Sequence, residues 1–157
     1  MKAANIKVKQ TLEDLGLVVD VRILPDAVRT AALAAAALDC AVGQIANSLI
    51  FRDLDRDEAV LIMCAGDHRV DLGKVRQVAG FNLGKADAGF VRAQTGFAIG
   101  GVPPVAHVTR STTLLDASLQ RFETIWAAAG TPESVFCMTP AQLQQMTNGR
   151  WYELVED

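Results

Sequence analysis

The residues best suited to chemistry lie in Thr95-Gly96-Phe97-Ala98-Ile99-Gly100-Gly101-Val102-Pro103-Pro104-Val105-Ala106-His107. Glycine reaches backbone angles that other residues avoid, and lets a ligand approach main-chain N–H groups closely. Proline fixes φ and cannot donate a hydrogen bond, and the residue before each proline is pushed to extended angles. A loop freed at its glycine end and locked at its proline end suits recognition by backbone. Gly100, Gly101, Val102 and Pro104 are therefore the candidate reacting centre, with Pro103 beside them. Gly-Gly and Pro-Pro pairs also punctuate plain connections between strands, so this reading depends on what surrounds the loop.

Further candidates come from polar residues in apolar runs. In Gln44-Ile45-Ala46-Asn47-Ser48-Leu49-Ile50-Phe51 one polar pair interrupts a hydrophobic strand pattern. Strand neighbours point to opposite faces, so Asn47 or Ser48 must face a core or a cavity, where it needs a partner or a ligand. Ala31 and Ala34 belong to a nearly all-alanine helix that packs closely on a sheet or walls a small pocket. His107, at the loop exit, is either a substrate contact or a packing residue. Asp116, at a strand end, is either a site residue or a helix cap. No G-x-x-x-x-G-K-[ST], G-x-S-x-G or H-E-x-x-H motif occurs, and neither histidine has an evident nucleophile beside it in sequence. Cys40, Cys64 and Cys137 form no C-x-x-C pair. They read as buried free thiols, without metal or cofactor.

The elements that must hold these residues follow from patterning. A helix over 5–15 carries Ile6, Leu12 and Leu15 and stops at Gly16. Strands are expected at Leu17–Leu24, Gln44–Phe51 and Ala59–Ala65, the last two joined by an acidic hairpin loop. Thr30, Asp71 and Asp87 read as helix N-caps, Phe81–Leu83 as a short strand, and Thr112–Leu115, Phe122–Ala128 and Ser134–Met138 as the remaining strands. Thr139-Pro140 opens a final helix that ends at Asn148-Gly149. Short strands interleaved with short helices point to one α/β or α+β domain around a mixed sheet.

Composition narrows the functional classes. At 157 residues, half of them hydrophobic and 21% charged, the chain fits one soluble domain. It has no apolar run approaching the roughly 20 residues of a membrane span and no evident secretory leader, which points to the cytoplasm. A formal net charge of −3 argues against a general nucleic-acid binder and against DNA as partner. Between Gly66 and Arg121, however, seven cations face four acids, so one region can still meet a polyanion.

The order of Thr30-Ala31-Ala32, Gln44 to Phe51, Arg69-Val70-Asp71-Leu72, Thr95-Gly96-Phe97, Gly100 to Pro104 and Leu114-Leu115-Asp116-Ala117-Ser118-Leu119 resembles the YbaK family. That family includes the editing domain inserted in bacterial prolyl-tRNA synthetases, and the likeness runs from about residue 25 to about 147. The family's G-x-x-x-P loop falls on Gly100 to Pro104. The resemblance implies a barrel-like mixed sheet flanked by short helices, forming a single editing domain over residues 1–157. It also implies a free-standing deacylase that hydrolyses the ester of a mischarged tRNA, a tRNA for proline. The expected partners are the aminoacyl-tRNA acceptor end and, in addition, a synthetase. The family's frequent strand lysine falls at Asn47, which keeps hydrogen bonding but lacks the charge and leaves the amino acid open. The alternative is a non-catalytic module that holds an amino acid or aminoacyl-nucleotide beside a synthetase.

Overall fold

The structure, a computed structural model, describes residues 1–25, 28 and 30–157. Along the chain come α1 (Ala3–Asp14), β1 (Val21–Ile23), α2 (Ala31–Leu38), a 3-10 turn (Val42–Gln44), β2 (Ala46–Asp53), β3 (Glu58–Ala65), α3 (Leu72–Ala79), β4 (Leu83–Lys85) and α4 (Ala88–Thr95). After the long loop follow β5 (Thr112–Asp116), a second 3-10 turn (Ala117–Arg121), β6 (Ile125–Ala128), β7 (Ser134–Met138), α5 (Pro140–Thr147) and β8 (Arg150–Tyr152).

The sheet is mixed, as expected, and divides in two. Five strands run in the order β4-β2-β3-β5-β8 and three in the order β1-β7-β6. The antiparallel hairpin β2–β3 is the centre of the larger sheet, with β3–β5 and β5–β8 parallel. Its turn forms because Asp53 is buried and its carboxylate accepts from the main-chain N–H groups of Asp55 and Arg56, a side-chain mimic of a backbone turn. Ile45 and Trp126 form an isolated parallel bridge between the sheets. The main core lies between them, filled by Leu61, Met63, Leu115, Ile125, Phe136 and Leu143. Thr30, Asp71, Asp87 and Thr139 each accept from the main chain three residues on, so all four expected N-caps are present.

Several boundaries differ from the sequence expectation for physical reasons. In α1 the buried face is Asn5, Val8 and Leu12, while Ile6 and Leu15 are exposed. Asn5 is inside because its amide donates to the Ala129 carbonyl and the Ser134 hydroxyl at 2.8 Å each. The expected strand 17–24 shortens to β1, which pairs only with Ser134 to Phe136. Gln44 leaves the expected strand because its side-chain oxygen accepts from Ala41 N–H and closes a 3-10 turn. Phe122 is outside β6 because its N–H closes the second 3-10 turn on Leu119, and the strand expected at 81–83 moves to β4. β8 was not anticipated at all.

Close helix–sheet approach depends on Gly66. A methyl group there would lie 2.6 Å from the Val42 carbonyl oxygen and 2.8 Å from the Ala31 Cβ. Gly66→Ala should therefore cost about 1–3 kcal/mol by overpacking and lower the melting temperature by several degrees. Gly89→Ala, inside α4 and in ordinary contact only, should leave it unchanged or raise it. Thermal unfolding of the two variants checks this.

Candidate functional site

A cavity of about 240 Å³ opens where the two sheets part. Its walls are α2 with Ala31 and Ala34, the start of β2 with Asn47 and Ser48, the edge of β6 with Trp126 to Ala128, and the tip of the long loop with Ile99 and Gly100. Thr30, which caps α2 by accepting from Leu33 N–H at 3.1 Å, lies on the rim. The alanines matter through size, since any larger side chain on that face of α2 would fill the space.

The strand edges that meet the cavity follow from the pairing of β2 and β6. In an antiparallel pair the N–H and C=O of one residue share an edge, and the edge alternates along the strand. Ala65 sends its N–H to the Asp116 carboxylate, away from β2, so its partner Ala46 turns away from β3, and so does Ser48. Leu54 N–H donates to Asn82 at the β4 side, which fixes the same parity. β4 covers only Phe51 to Asp53. On β6, Ala129 N–H donates toward β7, which turns Trp126 and Ala128 toward β2. Trp126 takes part in the one bridge, and beyond it the strands diverge. The edges of Ser48 and Ala128 therefore lie on the facing sides of β2 and β6 at the cavity, beyond the last bridge assigned between these strands among the described residues.

Side chains divide by the same alternation. Ile45, Asn47 and Leu49 share a face and all line the cavity, and Asn47, half-buried, makes no side-chain hydrogen bond to any described residue. Ser48 turns its hydroxyl to the interior, where it lies 3.3 Å from Met63 Sδ. Only its strand edge belongs to the site.

The long loop meets the cavity at one point. Ala98 to Gly101 form a turn closed by Gly101 N–H on the Ala98 carbonyl at 3.0 Å. Gly100 occupies its third position with φ 92°, the geometry that demands glycine. Gly101 is glycine for another reason: a methyl there would lie 2.7 Å from Thr131 Cα. Val102, Pro103 and Pro104 are buried, with Phe97, Val102 and Val105 plugged into the main core. Of the candidates in this loop, then, Gly100 faces the cavity, whereas Gly101, Val102, Pro103 and Pro104 hold the turn in place.

His107 and Asp116 lie elsewhere. His107 Nε2 donates to the Pro103 carbonyl at 2.6 Å while Nδ1 pairs with the Ser111 hydroxyl at 3.1 Å, which latches the loop onto itself. Asp116, 1% exposed, accepts from Ala65 N–H, Ser118 N–H and the Ser118 hydroxyl. That is the cap alternative raised for it, and it also anchors the end of β3 behind Ala46. Burial first, then the Asp116 carboxylate, push the neighbouring Cys64 thiol up to about 12, so this cysteine is inert at neutral pH.

Sequence reasoning missed Leu24, Ile45, Trp126, Pro132 and Val135 in the cavity wall, because apolar residues far apart in sequence carry no local mark of a shared pocket. The Arg22 guanidinium lies 5.0 Å from the Trp126 ring centroid, a contact that only the fold brings about. Among the described lining residues none is titratable.

The aminoacyl-tRNA editing domain model matches residues 25–146. The protein YwhH of Bacillus subtilis (strain 168), whose function is uncharacterised, is 35% identical over 125 residues, 79% of each chain. A crystal structure provisionally assigned as a trans-editing enzyme for prolyl-tRNA synthetase superposes with a TM-score of 0.94 at 39% identity, covering 100% of this chain and 99% of that one. The hypothetical protein APE2540 superposes with a TM-score of 0.86 at 27% identity over 96% of this chain and 99% of its own.

The His107 latch has a pH signature. Burial outweighs the Pro103 hydrogen bond and holds the imidazole below its ordinary value of 6.5. The unfolded chain then binds the proton more readily than the folded one. Stability from this group is complete above about pH 6.5 and is lost as pH falls through the lower folded value. The gap in unfolding free energy between wild type and His107→Gln should be full at pH 7.5 and shrink as pH falls from about 6.5 to 5 in urea titrations. A constant gap would contradict the neutral latch.

Proposed function

The chain belongs to the aminoacyl-tRNA editing domain family, and from that premise we propose that it is a free-standing trans-editing deacylase. It hydrolyses the ester of a mischarged tRNA, a tRNA for proline, and its 157 residues act as one editing domain. The observation that carries this reading is the cavity at the parted strand edges, small, walled by alanine and apolar side chains, and floored by main-chain groups of Ser48 and Ala128.

In the proposed reaction the aminoacyl group enters between α2 and β2, with its side chain against Ala31 and Ala34. Water adds to the ester carbonyl carbon, and the carbonyl oxygen becomes an oxyanion. Main-chain N–H groups of Ser48 and Gly100 stabilise it, a role in which removal of one donor costs about 3–4 kcal/mol in other enzymes. Gly101 N–H, engaged by Ala98, supports the turn instead. With no titratable side chain among the described lining residues, the vicinal ribose hydroxyl of the terminal adenosine relays the proton from water to the departing ribose oxygen. Asn47 offers its amide to the aminoacyl end. Arg22, stacked on Trp126, is placed to meet an acceptor-end phosphate. A protein at −3 should make few such contacts, so the salt dependence of binding is shallow.

A panel of mischarged tRNAs tests the proposal. Hydrolysis above the buffer rate is expected for at least one tRNA charged with a small amino acid, whereas tight binding without turnover would establish the non-catalytic module. Asn47→Ala should lower kcat/KM by the loss of hydrogen bonds costing about 1–3 kcal/mol, roughly 5- to 160-fold, with an unchanged melting temperature. Asn47→Lys should change which amino acid is removed. Unaltered kinetics in both variants would take Asn47 out of the site.

A further inference from the structure

A second hollow lies at the β5–β8 edge of the larger sheet and shares no lining residue with the cavity. It measures about 460 Å³ and sits at the starts of β5 and β8, two and three strands along from β2. Arg110 and Arg150 line it, both exposed, together with Thr112, Asn148, Phe81 and Tyr152. No carboxylate lines it among the described residues.

The two arginines are among the cations of this acidic chain that no carboxylate of a described residue neutralises, as are Lys9, Arg56, Arg69, Arg76 and Lys85. Lys2, Arg52, Lys74 and Arg121 each pair with a carboxylate. Neither Arg110 nor Arg150 makes an ion pair or a side-chain hydrogen bond with a described residue. Two guanidinium groups beside hydroxyl and amide side chains make a receptor for a phosphate, which arginine engages through paired N–H donors. Phe81 and Tyr152, half-buried against the Val60, Ile62 and Leu114 cluster, supply flat apolar surface of the kind on which bases stack. Arg110 also lines a neighbouring hollow of about 380 Å³ that contains the Pro104 to His107 end of the long loop.

We infer that this groove binds a phosphorylated nucleotide, with its phosphate between Arg110 and Arg150 and its base against Phe81 and Tyr152. The inference does not depend on the deacylase reading, because the two sites share no residue.

Calorimetric titration of the full chain tests it with four probes: inorganic phosphate, adenosine, adenosine monophosphate, and a 5′-phosphorylated RNA tetranucleotide. The monophosphate or the tetranucleotide should bind at least tenfold more tightly than either phosphate or adenosine alone. Preference between those two then tells a free nucleotide from an RNA end. Arg110→Gln with Arg150→Gln should weaken that binding at least tenfold, and Tyr152→Leu severalfold, at unchanged melting temperature, while Asn47→Ala leaves it as it is. Should phosphate alone bind as tightly as the monophosphate, or binding survive the double arginine substitution, the inference fails. Absence of nucleotide binding up to millimolar concentration overturns it equally.

Discussion

Among the described residues, main-chain pairing between the two sheets stops after a single bridge, Ile45 with Trp126, and the rest of the site follows from that stop. Had the parallel ladder continued, Ala128 would have donated to the Ala46 carbonyl and accepted from Ser48 N–H, closing the space between β2 and β6. Unpaired main-chain groups are costly to bury without partners, so a gap between strand edges persists only where something else holds the strands apart. Here that work falls to α2, seated closely through Gly66, and to the Ala98–Gly101 turn, which places Gly100 at the mouth. The result is a small polar floor inside apolar walls, the arrangement that favours a ligand with one reactive polar group and little bulk.

The surrounding residues act mainly as scaffold. Pro103 and Pro104 are buried and rigid, His107 ties the loop to its own carbonyl, and Asp116 fixes the last residue of β3 opposite the first residue of β2. Each acts on the cavity through a neighbour. A site built on main chain needs such support more than one built on side chains, because its donors move only when the backbone moves.

Much of the frame was legible in the sequence, since it is written in local chemistry. The caps at Thr30, Asp71, Asp87 and Thr139 and the β2–β3 hairpin follow from side chains that bond their own backbone within a few residues. The importance of the Gly100–Pro104 stretch was also legible, but the division of labour inside it was not. Gly100 is glycine for its positive φ, whereas Gly101 is glycine because Thr131, far along the chain, packs against it. The cavity walls at Trp126 and Val135 and the edge at Ser48 arise from strand topology, to which no single stretch of sequence bears witness. β8 escaped notice because its three residues form a strand only beside β5.

The claim that the open strand edge and the Gly100 turn receive the aminoacyl end is tested most directly by amide-resolved NMR. The protein would be titrated with a non-hydrolysable, amide-linked analogue of aminoacyl-adenosine carrying a small amino acid. The account predicts that the Ser48, Ala128 and Gly100 amide signals shift together and gain protection from exchange, while Gly101, already bonded to Ala98, keeps its protection throughout. Saturable binding that leaves Ser48 and Gly100 unmoved would contradict it.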